Sequence, residues 1–162
     1  MSVRTAQYTV EISHVIIETT KPFASVRIAL EKLIPTIDSE IPALLANGLT
    51  DRLKQRLEAA PELSIFLQRD HGMLVGIYGV AQHAIQYEIG NPLTASMMTR
   101  YQLGAANYAP LRVTVFEDDR GGSRIEYDQP SSLFGQFRDE RVLEVARRLD
   151  IALQRALYAA AE

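Results

Sequence analysis

The stretch Arg69-Asp70-His71-Gly72 sets a carboxylate beside an imidazole at the end of an apolar run. Such a pair suits general acid–base chemistry, since the ring titrates near neutral pH and an acid can orient it. The same residues also make a good turn, because Asp bonds to nearby backbone and Gly accepts unusual torsions. A second candidate is Gly90-Asn91-Pro92. Asn91 fits the cap of a helix and Pro92 its first position, and the N–H groups at such a start favour an anion. Arg112, between Leu111 and Val113, could hold a carboxylate or phosphate through two hydrogen bonds, or simply occupy the wet face of a strand. Tyr127 and Asp128 end a further strand-like run, with Ser131 close behind. Met97, Met98 and Tyr101 would supply an apolar wall, although adjacent methionines cannot both face the same way.

Several chemistries are disfavoured. The 162-residue chain has no cysteine, which removes disulfides, thiolate metal sites and a cysteine nucleophile. His14, His71 and His83 have no helical ligand spacing, so no metal site is expected. The stretch PSSLFG lacks the glycine frame of a nucleophile elbow, and DDRGGSR lacks a phosphate-loop lysine. A net charge of -3 without basic runs argues against nucleic acid and anionic membranes as partners. No apolar stretch reaches the ~18 residues needed to span a bilayer. Residues 1–7 are polar and do not read as a secretory signal, so a cytoplasmic location is expected.

These residues must be positioned by a framework that the periodicity outlines. The run from Tyr8 to Ile17 reads as a strand bulged near Ser13 or His14. Phe23, Val26, Leu30 and Leu33 mark a helix after Pro22 that ends before Pro35. Two short helices fit the segment 35–61, one stopped by Gly48 and one capped by Thr50 or Asp51 and ended by Pro61. Strands follow at ELSIFLQRD and HAIQYEIGN, and LRVTVFEDD and SRIEYDQ form a hairpin around DRGGS. Between the first two, MLVGIYG reads either as a short crossover helix or as a hairpin strand. A final long helix presents Val142, Val145, Ala146, Leu149, Leu153, Ala156 and Leu157 on one stripe. The expected architecture is one α+β domain over 1–162. It has a single mixed sheet of about five strands, helices packed on it, and a long C-terminal helix.

With a crossover at MLVGIYG, its flanking strands would run parallel. His71 and Asn91 would then share the carboxyl edge of the sheet, and Arg112, Tyr127, Asp128 and Ser131 would reach the same rim.

Taken together, RDHG, QYEIGNPLTASMM, APLRVTVFED and RIEYDQPSSLFGQF resemble the domain-of-unknown-function 302 family in order and spacing, from about Glu62 to the end. The resemblance implies a small bacterial α+β domain, cytoplasmic and paired as a homodimer, with no assigned reaction or known cofactor. The family's aspartate–histidine pair falls on Asp70 and His71. Its glycine–asparagine–proline falls on Gly90, Asn91 and Pro92, and its tyrosine-bearing strand end on Tyr127 and Asp128. The resemblance favours the crossover helix and makes 35–61 look like an inserted helical segment. The leading functional expectation is a binding domain for an anionic or polar small molecule, held by His71, Asn91, Arg112 and Tyr127. One alternative is a small enzyme with His71 as acid or base, oriented by Asp70 or Asp128. The other is a dimeric interaction protein without a ligand.

Overall fold

Five segments rich in β-branched and aromatic residues form one sheet, the residue types that pack best on a pleated surface. They are β1 (His14–Thr19), β2 (Ser64–Asp70), β3 (Ala84–Gly90), β4 (Leu111–Glu117) and β5 (Ser123–Asp128), in the order β1-β5-β4-β3-β2. The computed structural model describes residues 2–48 and 50–162. Its helices are α1 (Phe23–Leu33), α2 (Glu40–Ala46), α3 (Thr50–Ala59), α4 (His71–Val75), α5 (Pro92–Thr99), α6 (Pro130–Gly135) and α7 (Glu140–Ala161). Class, strand number and terminal helix agree with expectation.

The parallel pair does not occur. Every neighbouring pair in the sheet, β2 with β3 included, is antiparallel. The stretch MLVGIYG is indeed helical, as α4 and a 3-10 turn over Gly76–Tyr78. A parallel return needs a crossover of a dozen or more residues that traverses the full strand length. Five helical residues and one tight turn only reverse the chain. Gly72 sets the fit: a side chain there would overlap the backbone of Gln82 and Ala84.

Strand β1 also starts later than expected. Val15 and Ile17 pair with Tyr127 and Ile125, but β5 ends at Asp128 opposite His14. The chain then turns into α6, so residues 8–13 have no strand to pair with and form no regular element. Two further elements carried no sequence signal, α6 itself and a 3-10 segment over Leu103–Tyr108.

Alternation decides which sheet face is covered. Leu111, Val113, Val115, Ile125, Tyr127, Ile85, Tyr87 and Ile89 are buried beneath the helices. Helices α1 and α7 pack on each other and on the sheet, with Val26, Leu30, Val142, Ala146, Leu153 and Leu157 completely buried. The opposite face carries charges matched across strands: Arg69 to Glu88 at 2.6 Å, Arg124 to Glu18 at 3.3 Å, and His14 to Asp128 at 2.8 Å.

His14 also lies 3.3 Å from Glu126, so one ring bridges two carboxylates. The Asp128 hydrogen bond outweighs slight desolvation and, with Glu126, raises the ring's pKa above 6.5. The folded state therefore binds this proton more tightly than the unfolded chain. The resulting stability is complete below about pH 6.5 and is lost as pH rises through the raised value. With the ring half exposed, the effect is expected to stay below about 1 kcal/mol. Urea midpoints on either side of pH 6.5 should shift in the wild type and stay flatter in His14→Gln. Equal pH slopes in the two proteins would remove the clamp.

Candidate functional site

Strand register gives the sheet two ends. Asp70 pairs with Ile85, Ala84 with Phe116, and Thr19 with Ser123 at one of them. Ser64 pairs with Gly90, Ile89 with Leu111, and His14 with Asp128 at the other. Antiparallel pairing thus sends His71 and Asn91 to opposite ends, and the single expected rim divides in two. Asp70 and His71 stand at one end; Asn91, Arg112, Tyr127 and Asp128 stand at the other.

At the first end, the Asp70 side chain accepts the Met73 backbone N–H at 2.9 Å and caps α4. His71 is the first residue of that helix, and its Nε2 is buried without a hydrogen-bond partner among the described residues. Asp128 cannot orient this ring, since it lies across the sheet with its carboxylate on His14. A network that the sequence did not announce lies on the helix-covered face. The Glu31 Oε1 accepts hydrogen bonds from Arg27 Nε at 2.9 Å and from the Tyr87 hydroxyl at 3.1 Å. Spacing of four residues makes Arg27 and Glu31 a readable helical pair, but the link to Tyr87 spans 56 positions and exists only in the fold. Burial, reinforced by Glu31, raises the Tyr87 pKa above its ordinary value. The ring of His83 stacks on Phe23 at 5.3 Å beside this network.

At the second end, the four candidates do not share a cavity. Arg112 is exposed on the open sheet face, opposite Glu88. Tyr127 is buried under the helices, where desolvation, then the nearby Tyr158 and Asp150, raise its pKa. Ser131 gives its backbone N–H to Asp150 at 2.8 Å at the start of α6. Only Asn91 borders a hollow.

That hollow forms where the chain turns from β3 into α5. Asn91 accepts the backbone N–H groups of Leu93 and Thr94 at 2.8 and 3.2 Å, and donates to the Pro61 carbonyl at 2.9 Å. Its amide therefore fixes the helix start and the approach to β2, and the cap expected from the sequence is present. Pro92 follows at the first helical position, where its missing N–H costs nothing. The hollow measures about 100 Å³ and opens to solvent. Ile89 and Leu111 come from the sheet, Ala95 and Met98 from α5, Phe134 from α6 and Leu149 from α7. Phe66 and Pro110 complete the wall, leaving the Asn91 amide and the Thr94 hydroxyl as the polar side chains of the lining. Met98 is buried while Met97 is only partly so, which resolves the methionine pair. Tyr101 lies outside, with the Arg141 guanidinium 3.9 Å from its ring centre. Leu149 belonged to a legible core stripe, but nothing in the pattern brought Phe66, Pro110 and Phe134 to the same corner.

Such a space admits an apolar group and excludes a bare charge, which would lose its hydration without a partner. No cluster of three or more metal-ligating side chains occurs among the described residues. No described helix is long and apolar enough to cross a membrane.

Comparison with known proteins supplies the lineage. Residues 44–160 match the family described as "Domain of unknown function DUF302", a span that begins inside the 35–61 segment and includes both ends of the sheet. No curated protein matches the chain. The crystal structure of an uncharacterized conserved DUF302 protein from Bacillus stearothermophilus is similar, with a TM-score of 0.66 and 17% identity. The likeness covers 91% of this chain and 97% of that one, and it concerns the fold alone.

Proposed function

The chain belongs to the DUF302 family, and we propose that it acts as a small-molecule-binding domain whose ligand enters the hollow beside Asn91 with an apolar group first. The hollow itself carries this reading. Close-packed interiors leave few voids larger than a water molecule, and those that persist at an accessible corner are the usual places for ligands. An engineered apolar cavity of about 150 Å³ holds benzene; at about 100 Å³ this one suits a short branched chain or the leading edge of a ring. Any polar or anionic end of the ligand stays at the mouth, beside the Thr94 hydroxyl. Asn91 then acts as a positioning residue, since its own amide is engaged by backbone. His71, Asp70, Arg112, Tyr127 and Asp128 lie outside this binding step.

The test uses 3-methylbutanoate and benzyl alcohol as probes, followed by thermal shift and ligand-observed NMR. At least one should raise the melting temperature in proportion to its occupancy. Ala95→Leu places a larger side chain in the hollow without breaking helix propensity. It should fold normally, leaving the unliganded melting temperature within a few degrees, and lower probe affinity at least tenfold. Binding of neither probe, or equal binding by Ala95→Leu, overturns the proposal.

A further inference from the structure

The helix-covered face of the sheet gives way to ionisable groups at the His71 end. Along β3 and β4 the covered positions are Tyr87 and Ile85, and Val113 and Val115, all buried. Two residues further along each strand, where alternation returns to the same face, stand His83 and Glu117. The Glu117 N–H donates to the His83 carbonyl at 3.0 Å, which continues the β3–β4 ladder and sets the two residues opposite each other. Side chains so placed have Cβ atoms about 5 Å apart. Between them and α1 lies a cleft of about 590 Å³, walled by Phe23, Arg27, Ile28 and Glu31 on the helix side and by His83 and Glu117 on the sheet side. That volume falls within the range of ligand sites, roughly 300–1,000 Å³.

We propose that this cleft binds a small organic ammonium with an aromatic body. Charge selects the ammonium. Arg27 Nε donates to Glu31 at 2.9 Å and the Tyr87 hydroxyl donates to the same carboxylate, so the helix side is neutralised within itself. Glu117 has no ion-pair partner among the described residues. The lining therefore carries one uncompensated negative charge, which attracts a cation and repels an anion. Stacking selects the aromatic body. The imidazole of His83 lies flat on Phe23, with centroids 5.3 Å apart and planes at 10°. Phe23 is buried whereas His83 is exposed, so the stack ends in solvent at the imidazole. A ligand ring continues it in an offset arrangement. An arm of about two or three atoms then carries the ammonium to the carboxylate across the strand pair. Ile28, 67% exposed, offers apolar contact to the same ring. The cleft lies at the opposite end of the sheet from the Asn91 hollow and rests on no part of that reading.

Isothermal titration calorimetry on the full chain decides the matter, with 2-phenylethylamine as the probe and 3-phenylpropanoate as its anionic counterpart. The wild type should bind the amine at one saturable site, at least ~tenfold more tightly than the carboxylate. Glu117→Gln keeps the shape and removes the charge, and it should weaken the amine about tenfold, as expected for loss of a hydrogen bond to a charged group. His83→Ala removes the stacking platform and should weaken it at least ~threefold. Neither position is buried, so both variants should keep the wild-type circular dichroism spectrum. Ala95→Leu should leave amine binding unchanged. Absence of saturable amine binding overturns the proposal, as does equal affinity for the two probes or full affinity in Glu117→Gln. Amine binding that Ala95→Leu abolishes and Glu117→Gln preserves would assign the amine to the Asn91 hollow, and overturns it too. Failure of 3-methylbutanoate or benzyl alcohol to bind bears only on the hollow.

Discussion

Truncating Phe134 to alanine is expected to lower the folding free energy by about 3–5 kcal/mol, the range for deleting a buried aromatic ring. Three features place it in the upper half. The ring is only 1% exposed. It meets Tyr108 edge-on, with centroids 6.3 Å apart and planes at 81°, a contact that adds to simple burial. It also walls the hollow, so the space vacated merges with about 100 Å³ already empty, and cavity cost grows with volume. Urea unfolding followed by far-ultraviolet circular dichroism measures this directly. A loss below about 1.5 kcal/mol, the level of a volume-conserving swap, would mean that the corner collapses freely. In that case the hollow would not be a fixed feature.

A comparable loss of about 3–5 kcal/mol is expected for Tyr87→Ala, and its value lies in the contrast with Tyr87→Phe. The ring is fully buried on β3, beside Val113 and opposite Gln68. Its hydroxyl reaches Glu31, the residue that also holds Arg27, so one carboxylate joins α1 to the sheet. Phenylalanine keeps the ring and removes only that hydrogen bond to a carboxylate, for about 1.5–3 kcal/mol. Burial, with Glu31 nearby, holds the phenol neutral above its ordinary pKa of 10.0. The contribution is thus complete below that pH and is lost as pH rises through the raised value. Tyr87→Phe should lack this alkaline loss. If the two proteins lose stability in parallel above pH 10, the hydroxyl is not the group responsible.

Local signals in the sequence located most of the elements. Pro22, Asn91-Pro92, the glycines of the β4–β5 turn and the stripe of α7 each act over a few residues, and each is found where expected. Strand pairing depends on distant partners and was less legible. For MLVGIYG the residues alone left a hairpin strand and a short helix open and the family resemblance favoured the helix, but whether a short helix crosses over or turns back depends on its reach. That one reversal moved His71 to the far end and separated it from Asn91. Helix α6 was missed because its six residues carry no periodicity; Phe134 is buried by what surrounds it. The hollow was legible only at Asn91 and Met98, as its other walls come from elements up to 83 positions apart, Phe66 to Leu149.

A consequence follows from the treatment of β2, an outermost strand of the sheet. Unpaired strand edges are templates on which further chains assemble into fibrils. The edge of β2 is occupied where it begins. Ile65 donates to the Pro35 carbonyl and accepts from the Ile37 N–H, both at 2.9 Å. A register break between Ile65 and Leu67 then kinks the strand, and its last residues are Gln68, Arg69 and Asp70. An incoming strand would find the first rungs taken, the next misaligned and the remainder polar or charged, which disfavours growth along this border.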